Sequence, residues 1–110
     1  MEYQSKNFQP YFIGKITNGK KNVIAYNNNK IIKCNIPKIN IKNENGAGDT
    51  MSAFFLYFYL KKNNFIESLK LSIAAGSLHV SGYNFDKKNY FKKIIYLSKK
   101  INILEKNYNG

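Results

Sequence analysis

The spacing of apolar positions changes once along this chain. Up to about residue 42 they alternate with polar residues or form short β-branched runs, the signature of strands; from Asp49 onward they recur at helical spacing. Ile13–Thr17 reads as a short strand followed by a turn at Asn18–Asn22. Val23–Tyr26 and Lys30–Ile36 flank an asparagine patch, Asn27–Asn29, which is a hairpin signal, and Pro37 ends the second run. Lys38–Lys42 alternates as a half-exposed strand would, and leads into a loop at Asn43–Gly48.

Three helices are expected after the loop. Thr50–Lys62 contains no Gly or Pro and is apolar almost all round, which predicts a helix buried on most of its surface. Asn63-Asn64 breaks it. A second helix is expected over Phe65–Val80, with Phe65, Ile66, Leu69, Ile73 and Leu78 near one another on a wheel and Ala74, Ala75 and Gly76 allowing close packing. Ser81–Asn84 ends that helix, and Phe85–Glu105 reads as a third, lysine-rich one with Tyr90, Phe91, Ile94, Ile95, Leu97 and Ile101 as its apolar stripe. Residues 106–110 are expected to fray. Strands followed by helices make an α/β piece, a single partial domain over residues 1–110 with room for one edge of a larger sheet.

At 110 residues and 44% hydrophobic, the chain can hold one small core, built on Phe and Tyr because tryptophan is absent. A lone cysteine, Cys34, and a lone histidine, His79, exclude an internal disulfide and a Cys/His zinc cluster, and the composition assigns no other metal ligand. The start, Met1–Lys6, lacks the pattern of a signal peptide, and the longest apolar run, Met51–Leu60, is about half the ~20 residues a membrane span needs. A soluble, cytoplasmic protein without membrane partners is the expectation.

The formal net charge is +12, from 18 basic residues that are all lysine, against 6 acidic ones. Frequent Lys, Asn and Ile share AT-rich codons, so base composition accounts for much of this surface. Base readout and bidentate phosphate grip favour arginine, and the lysines are spread from Lys6 to Lys106. A solvated lysine surface is therefore the preferred reading over nucleic-acid binding. The alternative kept open is a non-enzymatic lysine-rich module that binds nucleic acid or a protein partner.

Candidate chemistry concentrates at Asn45-Gly46-Ala47-Gly48-Asp49-Thr50, where a strand-like segment meets a helix. Two glycines let the backbone turn tightly and approach a ligand, and the free N–H groups of the helix's first turn converge on the same point, with the helix dipole adding positive charge. Such a site stabilises a phosphoryl group in transfer. Asp49 is placed to accept a proton from an attacking hydroxyl. Taken alone, the loop favours a plainer reading, in which Gly46 and Gly48 shape a turn and Asp49 or Thr50 caps a helix. The loop is neither a Walker A nor a dinucleotide fingerprint.

Asn45–Phe54 followed by a helix, a short polar break and a second helix containing Glu67-Ser68-Leu69 and Ser72–Ser77 resembles the C-terminal signature of the ribokinase-like (PfkB) carbohydrate kinase family. Upstream, Ile16–Val23 is similar to that family's strand and Thr-x-Gly-x-x-Gly turn, so the resemblance runs roughly over residues 13–83. It implies the C-terminal part of a ribokinase-like three-layer sandwich, truncated. It further implies Asp49 as catalytic base, Gly46, Ala47 and Gly48 as the anion hole, Thr17 and Gly19 in the nucleotide pocket, and the helix around Ala74–Leu78 beside the adenine. ATP and magnesium are the implied cofactors. The implied reaction transfers the ATP γ-phosphoryl group to a hydroxyl of a sugar or a nucleoside such as pseudouridine.

Three stretches depart from the family pattern: Asn22 replaces a second turn glycine, Asn43-Glu44-Asn45 replaces Asp-Thr-Thr, and Phe54 replaces a small residue. The family's N-terminal portion, which grips the acceptor, has no counterpart in these residues. Without it the chain is expected to be inactive, completed by a separate N-terminal half or by a homo-oligomer. Cys34 is expected to be packed and inert, and His79 structural or solvated. The lysine pairs are read as exposed faces, and Phe54–Tyr59 as core or as surface left bare by the missing part.

Overall fold

The computed structural model describes residues 11–13, 22–27, 30–35, 40, 42–43, 45–83 and 88–107. Four strands, β1 (Tyr11–Ile13), β2 (Asn22–Asn27), β3 (Lys30–Asn35) and β4 (Asn102–Asn107), form one antiparallel sheet in the order β1-β2-β3-β4. Between β3 and β4 the chain runs through α1 (Ala47–Lys62), α2 (Phe65–Val80) and α3 (Tyr90–Ser98).

The expected hairpin is present. β2 and β3 pair with Val23 opposite Cys34 and Ala25 opposite Ile32, so these four inward side chains lie on one face and are buried while Lys30, Lys33 and Asn35 are exposed. The expected strand over Lys38–Lys42 is not formed at its described positions, Asn40 and Lys42, and its remainder lies outside the described residues. Of the strand expected over Ile13–Thr17, only Ile13 is described, as the last residue of β1.

α2 has the bounds that the sequence pattern predicts, and two adjacent asparagines define the break before it by different means. Asn63 takes the left-handed conformation at φ 51° and donates its N–H to the Tyr59 carbonyl, closing α1; the Asn64 side chain accepts from the Glu67 N–H at 2.9 Å, opening α2. α2 is the buried helix of the fold, with Leu69, Ile73, Ala74, Ala75 and Val80 all fully enclosed, and it packs against α1 and α3.

α1 differs from expectation in burial. Only Ala47, Met51, Phe55 and Phe58 are buried, a single stripe at spacings of four, four and three, while Leu56, Tyr57 and Leu60 are exposed, Leu60 at 75%. A helix covered on one side by α2 and α3 hides one stripe, whatever its composition. Phe54 is half-buried and bridges to α3, its ring 6.2 Å from Tyr90 and 6.4 Å from Phe91. On α3, Tyr90 and Ile94 are buried and Leu97 partly so, but Phe91 and Ile95 of the expected stripe are exposed.

The largest correction concerns the third helical segment. Of its expected start, residues 85–87 lie outside the described residues, Lys88 and Asn89 are turn, and the helix runs from Tyr90 to Ser98; residues expected to continue it form β4. The Ser98 hydroxyl bonds back to the Ile95 carbonyl at 2.7 Å, and the N–H groups of Lys99, Lys100 and Ile101 turn back onto residues 96–98. Asn102–Asn107 then pairs residue for residue with β3, Ile103 against Cys34, and Lys30 reaches Glu105 at 3.2 Å. An open edge on β3 offers six residues a full hydrogen-bond ladder, which outweighs local helix preference. Lys106 and Asn107, expected to fray, belong to this strand.

Candidate active site

The structure starts α1 at Ala47, three residues before the expected Thr50, so Gly48 and Asp49 lie inside its first turn. Gly46 is the N-cap, in the left-handed conformation at φ 83°, and the Thr50 N–H donates to its carbonyl at 2.9 Å. Neither Asp49 nor Thr50 caps the helix, contrary to the simple structural alternative. Among the described residues no side chain caps this N-terminus, so within them the N–H groups that open the helix keep their donors available. Asp49 is exposed in that first turn, where its carboxylate also complements the helix dipole.

The two glycines have different environments. A Cβ on Gly46 would lie 3.1 Å from His79 Nε2, whereas a Cβ on Gly48 would meet nothing within 4 Å. Nothing within the described protein requires glycine at position 48; the open space over an uncapped helix start is a cradle that a side chain would fill. Open helix starts of this kind are general sites for anions, whose oxygens accept from the backbone N–H groups.

The end of α2 supports the loop. The Val80 carbonyl accepts from both Lys42 N–H (2.7 Å) and Asn43 N–H (3.1 Å), and the Asn43 side chain accepts from Asn45 N–H at 2.9 Å. His79 Nε2 lies 2.8 Å from the Asn45 carbonyl, a contact across 34 residues. α2 closes with Gly82 N–H on His79 O and Tyr83 N–H on Leu78 O, Gly82 being left-handed at φ 84° beneath the Lys42 side chain.

Gly46, Ala47, Gly48 and Asp49 form the start of α1, where Ala47 is buried and Gly48 and Asp49 are exposed. Thr17 and Gly19 lie outside the described residues, as does Glu44. The helix around Ala74–Leu78, expected beside the adenine, is buried within this chain's own core and presents no surface to a nucleotide. His79, expected to be structural or solvated, is exposed and reaches this loop through the Asn45 carbonyl. No pattern along α2 marks His79 as facing a loop 34 residues away.

Among the described residues no three His, Cys, Asp or Glu side chains are grouped to hold a metal. Among the same residues no helix is long and apolar enough to cross a membrane. Cys34, fully enclosed between β2 and β4, has its thiol pushed up to about 12 by burial, partly opposed by the charge of Lys70. It is inert packing, and burial likewise raises the Tyr90 phenol.

No curated protein matches the chain. Two solved structures share its fold: a proposed phosphofructokinase from Staphylococcus aureus, with TM-score 0.73 and 15% identity, and a proposed sugar kinase from Clostridium perfringens, with TM-score 0.68 and 18% identity. Each match covers 92% of this chain and 31% of the other, so this chain spans about a third of those proteins' length. The fold is accordingly a partial α/β one. A family model described as pfkB family carbohydrate kinase matches residues 15–88, a stretch that contains the glycine-started helix, its exposed aspartate and the helix that supports them; the chain belongs to the pfkB carbohydrate kinase family.

Proposed function

We propose that this chain is the phosphoryl-transfer part of an ATP-dependent sugar or nucleoside kinase. The observation that carries the reading is the uncapped start of α1, with open space over Gly48 and an exposed Asp49 one residue further on. When bound, ATP supplies the γ-phosphoryl group and magnesium offsets its charge. The backbone N–H groups of Ala47, Gly48 and Asp49 hold the phosphoryl oxygens, and the Asp49 carboxylate takes the proton from the acceptor hydroxyl. Thr17 and Gly19 belong to the nucleotide pocket in this reading. Pseudouridine is a nucleoside acceptor consistent with it, as are simple sugars.

The acceptor pocket comes from polypeptide beyond these 110 residues, on this chain or another. The matched structures are about three times as long, and α1 and α3 leave an apolar face of Leu56, Tyr57, Leu60, Phe91, Ile95 and Tyr96 that the additional polypeptide covers. A cleft of about 240 Å³ between Ala53, Phe54, Tyr57 and Phe91 marks its centre. Alone, the 110 residues bind nucleotide phosphates without turnover, because nothing holds an acceptor in line.

The test is a phosphorylation assay on the completed enzyme with a panel of sugars and nucleosides, beside ATP titration of the 110 residues. Asp49→Asn should retain ATP binding and abolish turnover. If instead Asp49→Asn changes nothing while charge reversal at Lys92, Lys93, Lys99 and Lys100 abolishes binding of a nucleic acid, the chain is a basic binding module.

A further inference from the structure

The geometry points to His79 as the residue that positions the anion-binding loop, acting through the Asn45 carbonyl rather than on any substrate; this rests on the phosphoryl-binding reading above. A carbonyl oxygen only accepts, so the 2.8 Å contact requires the proton on His79 Nε2. The peptide that this bond anchors joins Asn45 to Gly46, the residue whose left-handed conformation aims the first N–H groups of α1. Side-chain capping, the usual means of holding a helix start, is absent here because the N-cap is a glycine. The imidazole replaces it from outside the helix.

Three further features support the assignment. The ring edge lies where a Cβ on Gly46 would come to 3.1 Å, so His79 also bounds the space available to the loop. The neighbouring Val80 carbonyl takes two N–H groups, of Lys42 and Asn43, from the incoming segment of the same loop, so consecutive residues of α2 hold both its beginning and its end. His79 is the one exposed residue in the last turns of a helix that is otherwise buried from Ser68 to Val80 apart from Lys70, and its side chain contributes no core packing. A histidine kept outside the core and bonded across 34 residues is spent on the loop, not on the helix.

The test separates the bond from the ring. In glutamine the side-chain nitrogen sits about as far from the backbone as histidine Nε2, so His79→Gln keeps a donor for the Asn45 carbonyl and His79→Ala removes it. The reporters are exchange of the Thr50 amide, which donates to Gly46, and titration with tripolyphosphate followed at the Gly48 amide. With His79→Ala, Thr50 exchange should quicken and tripolyphosphate affinity fall, each by about tenfold, the factor that one net hydrogen bond is worth. Exchange of the Ile73 and Ala74 amides should not change, since the core is untouched.

His79→Gln should restore both readouts to within about threefold of the original chain. Unchanged Thr50 exchange in His79→Ala overturns the assignment, and so does His79→Gln behaving like His79→Ala. If the original chain takes no tripolyphosphate, the phosphoryl-binding reading fails, and the Thr50 comparison alone still decides whether His79 holds the loop.

Discussion

Replacing Gly46 or Gly48 by alanine should move stability in opposite directions, although the two glycines are two residues apart in one loop. At Gly46 an alanine must hold φ 83°, which costs an L-residue roughly 1 to 2 kcal/mol. Its Cβ also arrives 3.1 Å from His79 Nε2, so the imidazole has to swing away and gives up its bond to Asn45, a further loss of about 1 kcal/mol. The total is about 2 to 3 kcal/mol, or a fall in Tm on the order of 10 °C for a domain this size. At Gly48 the added methyl meets nothing and the backbone is already helical. Alanine there gains helix propensity, up to about 0.5 kcal/mol because the first turn feels only part of the full ~1 kcal/mol difference.

Urea denaturation of the two variants, with unchanged slopes, measures both numbers. A double-mutant cycle sharpens them: in a His79→Ala background the Gly46→Ala cost should shrink to the backbone part, leaving a coupling of about 1 kcal/mol. Equal losses at both positions would refute the reasoning, and so would a Gly48→Ala loss above about 1 kcal/mol, since either result means that the space over Gly48 is filled by the protein itself. In the kinase reading Gly48→Ala is nevertheless the variant that loses phosphate binding, because the methyl occupies the cradle.

Burial of Cys34 predicts that the folded chain resists alkylation below pH 9 and reacts fully in denaturant, readable by mass spectrometry. The folded thiol titrates near 12 and the unfolded one near 9, so between those values only the folded state keeps the proton; stability contributed by the thiol is complete below pH 9 and falls about tenfold in the folding equilibrium per unit as pH rises towards 12. Ser77 Oγ is buried with no hydrogen-bond partner among the described residues, so Ser77→Ala should be neutral or stabilising by up to about 1 kcal/mol, and a loss above that in urea would reveal a partner. Ile73→Ala, at the centre of the buried helix, should cost about 2 to 5 kcal/mol by the same measurement, whereas Leu60→Ala on the exposed face should stay within about 0.5 kcal/mol.

Features decided within a few residues were legible in the sequence. The hairpin of β2 and β3, the Asn63-Asn64 break and both ends of α2 depend on alternation, on left-handed tolerance and on a capping side chain three residues from the N–H that donates to it, all of them local. The glycine-led start of α1, with Asp49 in its first turn, is local in the same sense. The tertiary structure decided what depends on partners far along the chain. Asn102–Asn107 carries a pattern compatible with a helix and becomes β4 because β3, about 70 residues away, leaves an edge to pair. α1 is apolar all round yet hides one stripe, since burial depends on what lies opposite, and its composition cannot say how much polypeptide is there to cover it. His79 acquires its place at the site only because folding lays the Asn45 carbonyl across the end of α2, and no periodicity along one helix encodes a hydrogen bond to another segment.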